Sequence, residues 1–176
     1  MAHNNYTEME DDCTEICGSN LVLVCVDACN HSLRAFNWYL KYFHQPHHKL
    51  ALVNVYTRPE MAQAVYTPEM YNAVYSDLLD EQLRKSAKIT DTFHQVCKER
   101  GLDAEVHSLP KADTIGQTIC NYAKEKHAAC VVLGQRGLGA VKRTVFGSVS
   151  EHVLHHAHIP VVIVPPPKGH KCHLWT

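Results

Sequence analysis

The strongest constraint on this chain is an alternation of two kinds of apolar pattern. Leu21 to Val26 (LVLVCV), Leu50 to Tyr56 (LALVNVY), Ala104 to Leu109, Ala128 to Leu133 (AACVVL) and Val161 to Val164 are short runs rich in valine and leucine. Runs of this length and composition read as strands buried on both faces. Between them, apolar residues recur every three or four positions, the stripe of a helix packed on one side. The first stripe is Leu33, Phe36, Leu40 and Phe43, with Asn30 or Ser32 as its cap. The second is Leu79, Leu83, Ala87, Phe93 and Cys97, with Gly101 as its stop. The third is Ile115, Ile119, Tyr122 and Ala123, and the fourth is Val149, Val153 and Leu154, ended by Pro160. Thr57 to Ser76 shows no clear period but holds three tyrosines and two methionines. Strand and helix in strict alternation predict one α/β domain: a doubly wound, five-stranded parallel sheet with helices on both faces and right-handed crossovers.

Composition agrees with one such domain. The chain has 176 residues, 45% hydrophobic and 20% charged, enough to bury a core without disulfide staples. Seventeen basic against eighteen acidic residues give a net charge of −1, so nothing electrostatic calls for a nucleic-acid partner. No apolar run approaches the ~18 residues of a membrane span, and no membrane partner is expected. The polar, acidic start has no signal-peptide pattern, which leads to an expectation of a cytoplasmic protein with free thiols. The expected layout is an N-terminal tail over 1–19, a folded domain over 20–165 and a C-terminal tail over 166–176.

The chemistry is expected at the carboxyl ends of the strands, where doubly wound sheets take their ligands. Asp27 follows the first run. Gly134-Gln135-Arg136-Gly137 follows the fourth, and nine residues later come Gly147 and Ser148. Glycine admits close approach of a ligand to the backbone, and successive amides in such a turn form an anion nest. A helix opening at Gly147-Ser148 adds unpaired N–H groups and the positive end of its dipole. Lys142 and Arg143 lie between the two halves. The spacing is not a P-loop, because Ala140 follows Gly139, and it is not a dinucleotide fingerprint, because Lys142 stands at the third glycine position.

Gly-x2-Gly-x9-Gly-Ser on Gly134, Gly137, Gly147 and Ser148 resembles the nucleotide loop of universal stress proteins. The opening LVLVCVDACNHSLRAFNWYL and the closing IPVVIV resemble that family's first strand and helix and its last strand. The resemblance implies strand order 3-2-1-4-5 and binding of ATP, accompanied by Mg²⁺ held mainly by phosphate oxygens and water. It implies that Asp27 bonds the ribose or the adenine edge, and that Val26 and Val55 line the adenine pocket. Gly134, Arg136, Gly137, Gly147 and Ser148 would hold phosphates and ribose, with Val149 and Ser150 adding backbone or hydroxyl contacts. It also implies a homodimer through the apolar edge strand Val161 to Val164. Cys29 departs from the usual serine and is redox-sensitive if exposed. The 57–76 segment exceeds a minimal connection, and a lid over the nucleotide is one use for it.

No general base accompanies the loop, so no catalytic residue is assigned. A nucleotide-dependent stress or signalling switch is the leading reading; a slow ATPase or nucleotide-transferring enzyme is the alternative. A redox or metal protein ranks below both. Fourteen histidines and eight cysteines invite metal, but there is no CxxC pair, and His152, His155 and His156 read as ordinary helix-surface imidazoles. No metal-ligand set is assigned.

Overall fold

In the computed structural model, five strands and four helices follow one another in strict alternation. It describes residues 19–62, 67–135, 147–167 and 174. The elements are β1 (Leu21–Cys25), α1 (Asn30–Tyr42), β2 (Lys49–Tyr56), α2 (Pro68–Glu99), β3 (Ala104–Pro110), α3 (Ile115–Glu125), β4 (Cys130–Gly134), α4 (Ser148–His156) and β5 (Val161–Val164). All strands are parallel, in the order β3-β2-β1-β4-β5. The chain winds outward from β1 through β2 to β3, then returns to β1's other side with β4. The order therefore reverses between the carboxyl ends of β1 and β4.

Period-two alternation divides the strand side chains between two apolar layers. Val22, Val24, Leu50, Leu52, Cys130 and Val132 face α1 and α2, where they meet Phe36, Tyr39 and Phe93. Leu23, Ala51, Val53, Val131 and Leu133 face α3 and α4, where they meet Ile119, Ala123 and Val153. Phe36 and Phe93 meet edge to face at 5.5 Å between ring centroids, an arrangement that favours the opposed ring charges. The central strands are closed on both sides, which is why their sequences are apolar runs broken inside only by Asn54. The edge strands β3 and β5 are only partly buried.

Several helix details depart from the sequence reading. α1 is capped by neither Asn30 nor Ser32. Its N-cap is Cys29, which has no side-chain capping bond. Its fully buried face is His31, Ser32, Ala35, Phe36 and Tyr39, with Leu33, Leu40 and Phe43 packed at the margin. α2 begins at Pro68, well inside the segment that lacked a clear period. Thr67 starts it by accepting the Met70 amide on its hydroxyl, and proline occupies the first turn. Ser86, Ile89, Phe93 and Cys97 form its buried face, whereas Leu83 and Ala87 are exposed. No residue of α2 before Ser86 is fully buried, so its first half runs past the sheet. Gly101 stops the helix with φ +65°, and the Leu102 amide closes the last turn on the Cys97 carbonyl. On α4, Leu154 is 42% exposed rather than inward, and the helix ends at His156, before Pro160.

Two further observations concern Leu174 and the thiols. Leu174 forms an isolated antiparallel bridge with Cys29. Cys25, Cys97, Cys120 and Cys130 are free. Cys29 is disulfide-bonded and fully buried, against the expectation of free thiols throughout. Among the described residues no helix is long and apolar enough to cross a membrane, and no cluster of three or more histidine, cysteine or carboxylate side chains is gathered to hold a metal ion.

Candidate functional site

The carboxyl ends of β1, β2 and β4 and the first turns of α1, α3 and α4 enclose a cavity of about 300 Å³. Its position follows from the winding. Chains leaving β1 and β4 turn to opposite faces of the sheet and leave a crevice between them. The volume is at the lower end of small-molecule sites.

One wall is apolar: Val26 from β1's end, Val53 and Val55 from β2, Ile115 and Ile119 from α3, and Leu133 from β4. The polar groups sit at two opposed places. The first is the turn after β1. There Asp27 Oδ1 accepts the Cys29 amide at 2.9 Å. The Ser32 hydroxyl accepts the Asp27 amide at 3.1 Å and reaches the Asp27 and Cys29 carbonyls, each at 2.9 Å. These bonds fix the turn and hold Asp27 at the cavity edge.

The second place is the start of α4. Gly147 is the N-cap, in extended backbone at φ −75° and ψ 155°, with no side-chain cap. Ser148, Val149 and Ser150 open the helix beside the cavity. Their amides lack intrahelical acceptors by helix geometry. The Ser150 hydroxyl does not compete for them, because it donates to the Gly147 carbonyl at 2.9 Å. Ser148 is exposed and is the first helical residue rather than the cap. The result is an N–H-rich, partially positive rim facing an acidic one across an apolar slot.

Asn54 is a contributor the sequence reading missed. It is buried, with Nδ2 donating to the Val26 carbonyl at 2.9 Å and Oδ1 accepting from Ser86 at 2.6 Å. Ser86 spends its one proton there, so Ser108, 2.5 Å away, donates to Ser86. This satisfied chain ties β1, β2, α2 and β3 together behind the cavity. The signal was present as a lone polar residue in the run LALVNVY. Cys25, Ser32, Val53, Ile115, Ile119 and Leu133 also line the cavity without having been singled out. Burial first, then the Asp27 charge and Cys120, push the Cys25 thiol far up, so it stays protonated.

The cavity brings together eight of the expected residues: Val26, Asp27, Val55, Gly134, Gly147, Ser148, Val149 and Ser150. Arg136 and Gly137, with Lys142 and Arg143, lie outside the described residues. Gly134 turns out to have a packing reason as well. A Cβ built on it would lie 2.4 Å from the His31 carbonyl oxygen and 2.6 Å from its carbon. Only glycine lets β4 end this close to α1. Gly147 is different, since a Cβ there meets nothing nearer than the Ser150 hydroxyl at 3.7 Å.

A reversing parallel sheet with a slot between an acidic turn and a helix N-terminus defines a doubly wound α/β protein of the switch-point ligand type. The model of the Universal stress protein family matches residues 20–165, and this chain belongs to that family. It is 27% identical over 150 residues to the universal stress protein YxiE of Bacillus subtilis, covering 82% of this chain and 98% of that one. Two solved structures share the fold. A universal stress protein family member from Arabidopsis thaliana with AMP bound superposes with TM-score 0.57 at 20% identity, over 84% of this chain and 92% of that one. A universal stress protein in complex with cAMP gives TM-score 0.57 at 21% identity, over 82% and 95%.

Proposed function

We propose that this chain binds an adenine nucleotide in the switch-point cavity, with ATP as its working ligand, and acts as a nucleotide-dependent switch in a stress response. The observation that carries the reading is the opposition of Asp27 to the α4 N-terminus across one apolar slot. A purine suits the wall of Val26, Val53, Val55, Ile119 and Leu133. A ribose hydroxyl suits the Asp27 carboxylate, and phosphates suit the amides of Ser148 to Ser150. The relatives solved with AMP and cAMP support the choice of an adenine nucleotide. Asp27 is the one carboxylate on the described cavity wall, so Mg²⁺ would come held by phosphate oxygens and water. The same scarcity of carboxylates favours binding over turnover. A cytoplasmic home is part of the proposal, with cell fractionation as its check.

Titration calorimetry of the full chain with ATP and AMP tests the site. Asp27→Ala is expected to weaken binding by about 10–100-fold, the worth of one charge-assisted hydrogen bond. Asp27→Asn keeps an acceptor for the Cys29 amide and removes the charge, and it should weaken binding while leaving the melting temperature in place. Unchanged affinity in both variants would reject Asp27 as a ligand.

The proposal extends to assembly. β5 is a sheet edge with Val161 to Ile163 partly exposed, and an apolar edge strand invites pairing with a second copy across a two-fold axis. Ile163→Lys should elute as a monomer on size exclusion where the native chain elutes as a dimer. A native monomer, or a variant that remains dimeric, removes β5 as the interface.

A further inference from the structure

A second cavity lies at the opposite, amino end of the sheet, where α3 runs into β4 and α4 runs into β5. It measures about 790 Å³ and is an open groove rather than an enclosed pocket. Lys124, His127, His156 and His158 line it, together with Gln117 and Asn121. All but Gln117 are known to be exposed at the surface, and the described lining contains no carboxylate. Glu125, next along α3, lies 3.7 Å from Lys126 instead. The floor is apolar, built from Ala123, Ala128, Ala157 and Ile159.

His127 and His158 are the two non-glycine residues with positive φ among the described residues, at 50° and 54°. Both stand just past a helix C-terminus, where glycine or asparagine is the cheaper choice. The chain thus carries imidazoles at two positions whose backbone does not favour them, and both face one groove.

Ser19 also lines the groove. The residues that precede it, 1–18, contain Glu8, Glu10, Asp11, Asp12 and Glu15 and neither lysine nor arginine. In an extended chain Glu15 and Glu8 reach roughly 14 Å and 37 Å from Ser19 at ~3.4 Å per residue. An acidic segment thus enters the domain at the lip of a groove lined by one lysine and three imidazoles. Tethering at the lip gives that segment a high effective concentration there.

We propose that the acidic segment 1–18 docks in this groove, its carboxylates on Lys124, His127, His156 and His158 and Ile16 over the apolar floor. The groove is then a binding site for a short acidic peptide, occupied by the chain's own N-terminus. An external acidic partner would have to displace that segment to use it. Salt weakens the contact.

Amide spectra of the ¹⁵N-labelled full chain test this. A Glu8→Gln, Glu10→Gln, Asp11→Asn, Asp12→Asn, Glu15→Gln variant keeps the length and removes the charge. At low salt its resonances for Lys124, His127, Ala128, His158 and Ile159 should differ from the native ones, while those around the switch-point cavity coincide. At about 1 M salt, where screening reaches ~3 Å, the two spectra should converge. The reciprocal variant, Lys124→Gln, His127→Asn, His158→Asn, retains side chains that accept positive φ and should shift the amides of residues 8–15. Groove resonances that coincide in native and neutralised chains overturn the proposal. So do groove shifts that vanish on dilution, which would mean a second copy's segment is the occupant. Equal shifts of the groove by inorganic phosphate in both chains would leave it as a small-anion site and overturn the peptide assignment.

Discussion

Gly134→Val should fail to give a stable folded protein, whether or not nucleotide is present. The alanine Cβ alone would lie 2.4 Å from the His31 carbonyl oxygen, far inside contact distance. Its obstacle is backbone at the start of α1, which cannot swing aside as a side-chain tip can. Relief requires moving α1 away from β4, and that separates Phe36, Tyr39 and Ala35 from Val24 and Val132 in the core. Overpacking typically costs about 1–3 kcal/mol and occasionally more. Here the clash is with main chain on the central layer, so a loss of roughly 4 kcal/mol or more is expected, a large part of a normal domain's stability. Urea unfolding followed by circular dichroism measures it. A variant within about 1 kcal/mol of native stability would show that β4 and α1 do not approach as described.

Gly147→Val should do the reverse, folding normally and losing the nucleotide. Its backbone is extended, which valine adopts readily, and its Cβ has room. The added methyls would stand at the rim where the amides of Ser148 to Ser150 open toward the slot, the place a phosphate must reach. A loss of about 100-fold in ATP affinity, or ~2.7 kcal/mol, is expected, with the urea midpoint little changed. The comparison separates two roles that one glycine motif superimposes in the sequence. Retained affinity in Gly147→Val would take the phosphate contacts away from the start of α4. A collapse of stability there would mean the two glycines serve the same packing purpose.

The strands were legible because each central strand is closed on both faces and is apolar at nearly every position, Asn54 being hydrogen-bonded where it is not. β5 was readable to the residue for a related reason: Pro160 and the prolines after Val164 bracket it. α2 was legible only in its second half. Tyr71, Val74, Tyr75, Leu78 and Leu79 lie on the half that runs past the sheet, so no core enforces a clean stripe there. Its true start was written locally, in Thr67-Pro68, rather than in periodicity. The inward set slipped from Leu83 and Ala87 to Ser86 and Ile89, because Ser86 is drawn in by hydrogen bonds to Asn54 and Ser108. A hydrophobicity pattern cannot register that attraction.

For the site, the glycine spacing and the strand-end position of Asp27 fall at the edge of the sheet where the cavity lies, and Val55 entered through the family resemblance. The apolar wall from α3 was not readable. Ile115 and Ile119 reach the cavity through the crossing of α3 over the sheet, which is a property of tertiary geometry. The packing role of Gly134 was hidden for the same reason. Its neighbour, His31, is distant in sequence and adjacent only once β1 and β4 pair. The Cys29 disulfide ran against an expectation drawn from the missing signal-peptide pattern, which carries no information on which thiols the fold brings together.

The strand order has a consequence for how the chain is made. β1 emerges early during synthesis and finds β2 and then β3 on one side as they follow. Its other side pairs Val22, Leu23 and Val24 with Cys130, Val131 and Val132, which leave the ribosome much later. Until then a central strand of the sheet presents an open edge while the nascent chain is still growing, and the switch-point slot has only half its walls. The ligand site and the protection of β1 are thus completed in one late event, the arrival of β4.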